Sequence, residues 1–149
     1  METWTATTDG VRVVSPAPRD IWQKVAEADQ HASPFQLPEW TDAICADRNW
    51  QDVSRLYEFP SGRAVVLPLV RRKYLTDHVA FDGSMPKMWG YGGVIAPDAI
   101  RSSELDSIVD DLLHSAPLRL SIRPNPLLAD TWRKSVAGRM IPTPRVYIC

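Results

Sequence analysis

Two tyrosines and a pair of arginines are the residues of this chain whose chemistry best suits an active site. Tyr74 and Tyr91 carry phenols, and a phenol can protonate a leaving thiolate or position an amine. Arg71 and Arg72 follow an apolar run, where their charges could attract a carboxylate or a phosphate. Packing of the tyrosines in the core and simple solvation of the arginines are the alternatives that the sequence leaves open.

Other kinds of site have no support from residue spacing. The three histidines show neither HxxxH nor HExxH spacing, so we expect no metal site. Cys45 lies in a predicted apolar helix without a histidine nearby in sequence, which favours buried packing over nucleophilic use. Asp106, Asp110 and Asp111 fall on the polar side of another predicted helix, and we expect them to be solvated.

Length and charge narrow the class of protein. The chain has 149 residues, enough for one domain with a proper core. Its net charge of -1 indicates no general affinity for polyanions, so no direct nucleic-acid partner is predicted. The two cysteines form no CxxC pair, and the amino terminus has neither a basic start nor an apolar core. We therefore predict a cytoplasmic protein with no membrane partner.

The stretch that organises the chain, residues 52–73, is predicted to form two strands joined by a turn at Pro60-Ser61-Gly62. Residues 64–70 are apolar without alternation, which is typical of a central strand covered on both faces. Pro68 cannot donate a ladder hydrogen bond, so it should lie at a bulge or where neighbouring strands part. An edge strand that tolerates the proline is the alternative.

Apolar periodicity predicts elements on both sides of this hairpin. Helices are predicted over residues 19–30, from Pro38, from Ser102 with an apolar stripe to Leu113, and after Asn125-Pro126. Strands are predicted at residues 11–14, around residues 94–95 and at residues 118–123.

The two ends of the chain are predicted to differ from its middle. Residues 1–10 carry few apolar side chains and are predicted to form a flexible tail. Residues 140–148 are expected to form an extended piece with an exposed apolar strip. Residues 11–149 are then a single α/β domain, with a mixed, mostly antiparallel central sheet flanked by helices.

Three short sequence segments, together with this order of elements, indicate a resemblance to a known family. They are PFQLPEW at residues 34–40, AVVLPLV at residues 64–70 and YGG at residues 91–93. The chain resembles the GNAT-type acyltransferase fold, in particular the N-terminal domain of FemAB-like proteins, which contain two such domains in tandem. The resemblance implies transfer of an acyl or aminoacyl group to an amine. It also implies that this domain shapes the acceptor cleft while a second domain holds the donor.

The sequence departs from the family where a coenzyme would bind. A GNAT domain that binds acetyl-CoA typically shows R/Q-x-x-G-x-G/A directly before a helix, whose amides receive the diphosphate. Residues 87–92, KMWGYG, copy the glycine spacing with lysine first, but the predicted helix begins only near Ser102. Ile44 stands where Fem-type peptidyl transferases carry a lysine that helps to bind a phosphate-bearing precursor.

We therefore predict that this domain binds no cofactor itself. Acyl-CoA or aminoacyl-tRNA would be the donor in the complete enzyme, a second GNAT domain on another chain or a second copy would be the partner, and a small amine would be the acceptor. The candidate catalytic residues are Tyr91 and Tyr74, and the candidate substrate-binding residues are Trp40, Arg71, Arg72, Trp89, Gly92 and Gly93.

Two other functions remain open at the level of sequence. One is a free-standing GNAT N-acyltransferase that binds acyl-CoA through residues 89–93. The other is a non-catalytic binding or assembly domain.

Overall fold

The computed structural model describes residues 4–8 (backbone only), 10–72, 81–86, 90–115 and 119–139. Within these ranges the chain is an α/β protein with two four-stranded sheets and four α-helices. The strands are β1 Trp4–Thr8, β2 Val11–Ser15, β3 Trp50–Asp52, β4 Arg55–Glu58, β5 Ala64–Leu67, β6 Val70–Arg72, β7 Phe81–Gly83 and β8 Arg119–Ser121. The helices are α1 Arg19–Ala28, α2 Pro38–Cys45, α3 Ser102–His114 and α4 Ala129–Ser135, with 3-10 segments at Pro34–Gln36 and Pro126–Leu128.

One long hairpin runs through both sheets and confirms the predicted pair of strands over residues 52–72, while Lys73 lies outside the described residues. Its first arm is β3 and β4, and its second arm is β5 and β6. The turn contains Gly62 at φ +80°, a conformation that glycine adopts without steric cost. Pro68 lies between β5 and β6, where the second arm leaves one sheet and enters the other. The missing amide of the proline therefore falls where the strands part, as predicted.

The position of β5 in its sheet differs from the prediction of a central strand. Among the described residues the first sheet has the order β1-β2-β4-β5, so β5 is an edge strand, which was the alternative, and an isolated bridge joins its Val66 to Ile95. Burial on both faces is nevertheless correct: Val65 and Val66 are fully buried and pack into separate apolar clusters. An unbroken apolar run therefore predicts that both faces of a strand are buried. It does not predict whether the strand is central or at the edge of its sheet.

The predicted flexible tail is another difference. Residues Trp4–Thr8 form β1 and pair with the whole of β2, from Trp4 opposite Ser15 to Thr8 opposite Val11. The segment has no apolar periodicity that would predict a strand, although its threonines favour an extended backbone. The hydrogen-bond ladder to β2 holds it, and such a ladder leaves no pattern of its own in the sequence.

The second sheet has the order β3-β6-β7-β8 and is mixed. Its pairs are antiparallel except for β7 and β8, which run parallel from Phe81 opposite Arg119 to Gly83 opposite Ser121. A parallel neighbour requires a crossover connection, and α3 lies in the chain between β7 and β8. The strand predicted around residues 94–95 is reduced to the Ile95 bridge, and residues 140–148 lie outside the described ranges.

Helices cover both faces of the first sheet, as predicted. Trp22 and Val25 of α1 pack with Leu56 and Val66 on one face. The stripe of α3 packs with Tyr57, Val65 and Leu67 on the other face. Burying each large aliphatic side chain contributes about 1.5–3 kcal/mol. The predicted stripe of α3 is buried from Leu105 to Leu112, whereas Leu113 is 39% exposed.

Candidate functional site

Two of the three sequence segments on which the family resemblance is based, residues 34–40 and 91–93, are in contact in the structure. The side chain of Gln36 is buried, and its amide Nε2 lies 3.3, 3.2 and 3.4 Å from the carbonyl oxygens of Gly92, Gly93 and Val94. The backbone carbonyl of Gln36 accepts a hydrogen bond of 2.8 Å from the indole of Trp22. Gln36 therefore ties α1 and the segment before α2 to the glycine-rich strand edge.

The aromatic residues of the first phrase pack beside this bond. The rings of Phe35 and Trp40 meet edge to face, with centroids 5.1 Å apart. A Cβ atom at Gly90 would lie 2.4 Å from Cγ of Phe35, so this glycine is required for the ring to fit. Ile44 is buried in the apolar cluster against which Trp40 packs. Trp40, a candidate substrate-binding residue, thus belongs to a packed aromatic pair with Phe35.

Gly92 and Gly93 are closely surrounded. The amide of Gly92 donates to the carbonyl of Arg123 at 2.7 Å, and its carbonyl accepts from Asn125 at 3.0 Å. A Cβ atom at Gly92 would lie 2.5 Å from Cβ of Ser84, and one at Gly93 would lie 3.0 Å from the backbone of Pro124. Because α3 begins only at Ser102, the Gly92 amide belongs to an isolated β-bridge with the segment at Pro124 and not to a helix N-terminus.

Arg71 and Arg72 are neighbours in sequence but lie on opposite faces of the second sheet. Arg71 stands opposite Asp82, and Arg72 opposite Phe81. Two hydrogen bonds of 2.7 and 2.9 Å join Arg71 to the carboxylate of Asp82, whose side chain is 1% exposed. These bonds raise the pKa of Arg71. Arg71 therefore neutralises a buried acid, whereas Arg72 is exposed.

A cleft of about 270 Å³ lies beside Arg72. Four of its lining residues form one row across the second sheet, one from each strand: Trp50, Arg72, Phe81 and Arg119. The guanidinium carbon of Arg72 lies 5.8 Å from the ring centroid of Trp50, within the range of a cation–π contact. The row thus alternates aromatic rings with guanidinium groups.

The next row on the same face gives the cleft its floor. Gly83 lies opposite Ser121, and both line the cleft together with Arg123. A Cβ atom at Gly83 would lie 3.4 Å from the carbonyl oxygen of Ser121 and 3.5 Å from that of Met85. The missing side chain therefore keeps the floor low between the arginines, and the Ser121 hydroxyl can donate to a ligand.

Sequence reasoning identified only one of the residues that line this cleft, Arg72. Trp50, Phe81 and Arg119 come from three strands that are far apart in the chain, and only sheet pairing brings them together. A partial signal was present in β8, where Arg119, Ser121 and Arg123 alternate with apolar residues. By itself that alternation predicts a half-buried strand and no site.

Of the other predicted site residues that the structure describes, none lines the cleft; these are Trp40, Arg71, Tyr91, Gly92 and Gly93. Tyr74 and Trp89 lie outside the described residues. Tyr91 is half-buried, and the described lining of the cleft does not include it. Its catalytic role stays a prediction.

A buried group of polar side chains contradicts the expectation for Asp111. Its carboxylate is 11% exposed and pairs with Arg55, and it accepts a hydrogen bond of 2.8 Å from the hydroxyl of Tyr57. Burial raises the pKa of Tyr57 well above its ordinary value, while the charge of Arg55 opposes that shift. The group joins α3 to β4, because Asp111 is turned toward the sheet rather than toward water.

Two further searches concern the described ranges alone. Over residues 4–8, 10–72, 81–86, 90–115 and 119–139, no group of three or more histidine, cysteine, aspartate or glutamate side chains is placed to hold a metal ion. None of the helices in these ranges has the length and apolar character needed to cross a bilayer.

Comparisons of this chain with protein-family models, with curated proteins and with solved structures find no match. Its function must therefore be inferred from its own residues and their arrangement.

Proposed function

We propose that this chain is the acceptor-binding half of a FemAB-like acyl or aminoacyl transferase. The order of strands supports the proposal: antiparallel strands are followed by a helix, α3, that leads to a strand parallel to β7. The meeting of Gln36 with Gly92 and Gly93 supports it too, because it gives two of the resembling phrases a shared structural role.

The observation that carries the proposal is the cleft on the second sheet. It joins charged donors to aromatic surface in a concave space, which is how small-molecule sites are usually built. Its volume of about 270 Å³ lies just below the usual range of ligand pockets, roughly 300–1,000 Å³. That size suits a small acceptor better than a whole coenzyme.

The donor is assigned to a second GNAT domain, on another chain or a second copy. The Gly92 amide is already bonded to Arg123, so a diphosphate at this strand would have to break a sheet hydrogen bond. In the reaction the acceptor nitrogen attacks the carbonyl carbon of a thioester or ester. A C–N bond forms, the C–S or C–O bond breaks, and the proton lost by the nitrogen passes to the leaving group. The chain contributes positioning of the acceptor.

Calorimetry with acetyl-CoA tests the division of labour. We expect no binding by the chain alone at micromolar concentrations, and acyl transfer to an amine once a donor-binding GNAT domain is added. Micromolar binding of acetyl-CoA by the chain alone would overturn the assignment and favour a free-standing N-acyltransferase.

A non-catalytic binding domain is the second candidate function. It is favoured by Asp82, the one acidic residue among the described lining residues, because its carboxylate is bound to Arg71 on the opposite face of the sheet and is not placed to act as a base. Absence of transfer with every candidate donor domain, together with retained ligand binding in the cleft, would favour this function.

A further inference from the structure

We propose that the cleft on the second sheet binds a small organic anion, a carboxylate or a phosphate, whose body is flat and apolar. The cleft would bind the acceptor through this acidic group. That the ligand also carries a reactive amine rests on the proposed function, whereas recognition of the anion is argued from the cleft alone.

Charge is the first argument. Arg72, Arg119 and Arg123 line the cleft, and guanidinium groups stay protonated at any physiological pH. The carboxylate of Asp82 is bound at 2.7 and 2.9 Å by Arg71, which lies on the opposite face of the sheet. Arginine binds carboxylates and phosphates through paired hydrogen bonds. The cleft therefore favours a negative ligand over a neutral or positive one.

The arrangement across the strands is the second argument. Arg72 and Arg119 lie on either side of Phe81 in the row, and neighbouring strands are about 4.8 Å apart. The two arginine backbones are thus separated by roughly 10 Å. Their long side chains can reach an anion placed above Phe81 or Gly83. Ser121, opposite Gly83, supplies a hydroxyl donor from the floor.

Aromatic surface is the third argument. Trp50 and Phe81 line the same cleft and stand in the same row, with Arg72 between them. A flat apolar body can stack on either ring while its acidic group meets a guanidinium, and such stacking adds to binding beyond the area covered. The ligand class is therefore an aryl acid or another planar acid.

Titration calorimetry of the full chain tests the proposal with phenyl phosphate and phenylacetate as probes. Benzyl alcohol and benzylamine are the neutral and cationic controls. We expect both acids to bind at least about tenfold more tightly than either control, because each replaces a neutral contact with charge-assisted hydrogen bonds. The two acid arms rank phosphate against carboxylate.

Variants locate the binding. Arg119→Gln should weaken binding of both acids at least about tenfold, and Gly83→Val should abolish it by raising the floor. The matched control is Arg133→Gln, since Arg133 is 70% exposed on α4 and pairs with Asp130; it should leave affinity unchanged. Circular dichroism checks that each variant folds, and Arg119→Gln suffices if Gly83→Val does not fold.

Equal affinity for the acids and the controls, or equal losses in Arg119→Gln and Arg133→Gln, would overturn the proposal. If the chain binds the acids but no acyl transfer occurs in the presence of a donor domain, the anion site stands and the proposed transferase function is wrong. If the chain supports transfer to neutral amines but binds no acid, the transferase function stands and the anion site is wrong.

Discussion

The side-chain amide of Gln36 lies 3.2 Å from the carbonyl oxygen of Gly93, although the two residues are 57 positions apart in the chain. The bond is buried and joins the segment before α2 to the strand edge that pairs with Asn125. Neighbouring carbonyls at Gly92 and Val94 lie at similar distances, so the two hydrogens of this amide are shared among three acceptors. Gln36 therefore links the segment before α2 to residues 92–94.

Gln36→Leu should lower the free energy of unfolding by about 1–3 kcal/mol, because buried carbonyls lose their donor while the side-chain volume is nearly kept. Urea unfolding followed by circular dichroism measures the change. The matched control is Gln30→Leu at an exposed position, where we expect a change within about 0.5 kcal/mol. Equal effects in the two variants would contradict the role given to Gln36.

Gly90→Ala and Gly62→Ala should differ in cost although both glycines have positive φ, +103° and +80°. Both variants suffer backbone strain of about 1–2 kcal/mol. At Gly90 the new Cβ also meets the ring of Phe35 at 2.4 Å, whereas at Gly62 no atom lies within 4 Å. We expect Gly90→Ala to be the more destabilised by at least about 1 kcal/mol in urea unfolding.

A second substitution that removes the Phe35 ring tests whether a clash with this ring causes the larger destabilisation of Gly90→Ala. Adding Phe35→Ala to Gly90→Ala should cost less than the sum of the two single changes, since the removed ring can no longer clash. Additive losses would show that overlap with Phe35 is not the reason.

Arg71→Leu should destabilise the fold because the buried carboxylate of Asp82 loses its ion-pair partner. The Asp82 side chain is 1% exposed while Arg71 is 35% exposed, so solvent screening reduces the loss, and we expect about 2 kcal/mol in urea unfolding. The double variant Arg71→Leu with Asp82→Leu should recover most of this, because no buried charge remains. Arg133→Leu, at an exposed pair, is the control, and a double variant no better than Arg71→Leu would refute the account.

Tyr57 should make stability fall at high pH. Burial raises its pKa well above the ordinary value of 10.0, so above that pH the unfolded chain loses the phenolic proton while the folded chain keeps it. The unfolded state then binds fewer protons, and the free energy of unfolding decreases as pH rises, by up to about 1.4 kcal/mol per pH unit. Below pH 10 this contribution is fully present.

Chemical unfolding of the chain and of Tyr57→Phe between pH 8 and about 11 isolates this effect. The variant should lack the Tyr57 part of the slope, and at neutral pH it should lose about 0.5–1.5 kcal/mol with the hydrogen bond to Asp111. Parallel pH profiles for the two proteins would rule out the assignment to Tyr57.

Local patterns predicted the elements well where each segment carries its own signal. The turn at Gly62 and the stripe of α3 follow from residue types within a few positions, and the structure contains both. Asn125 caps the 3-10 segment Pro126–Leu128, and the last α-helix begins after it, at Ala129. The placement of Pro68 between two strands also follows from its missing amide, which no interior ladder can accommodate.

Contacts between distant segments had no such signal. Periodicity placed Asp111 on the polar side of its helix, but a guanidinium and a phenol from β4 convert that position into a buried ion pair. β1 depends on the edge of β2 rather than on apolar residues of its own.

The sequence by itself determined an α/β protein with its hairpin, its main helices and a basic patch at residues 71–72, because these depend on local sterics, capping and apolar spacing. Only the tertiary structure decided that Arg71 is bound to a buried acid while Arg72 faces a cleft with Trp50, Phe81 and Arg119. The physical reason is that strand register sets which side chains share a face, and register is fixed by pairing between segments far apart in the chain.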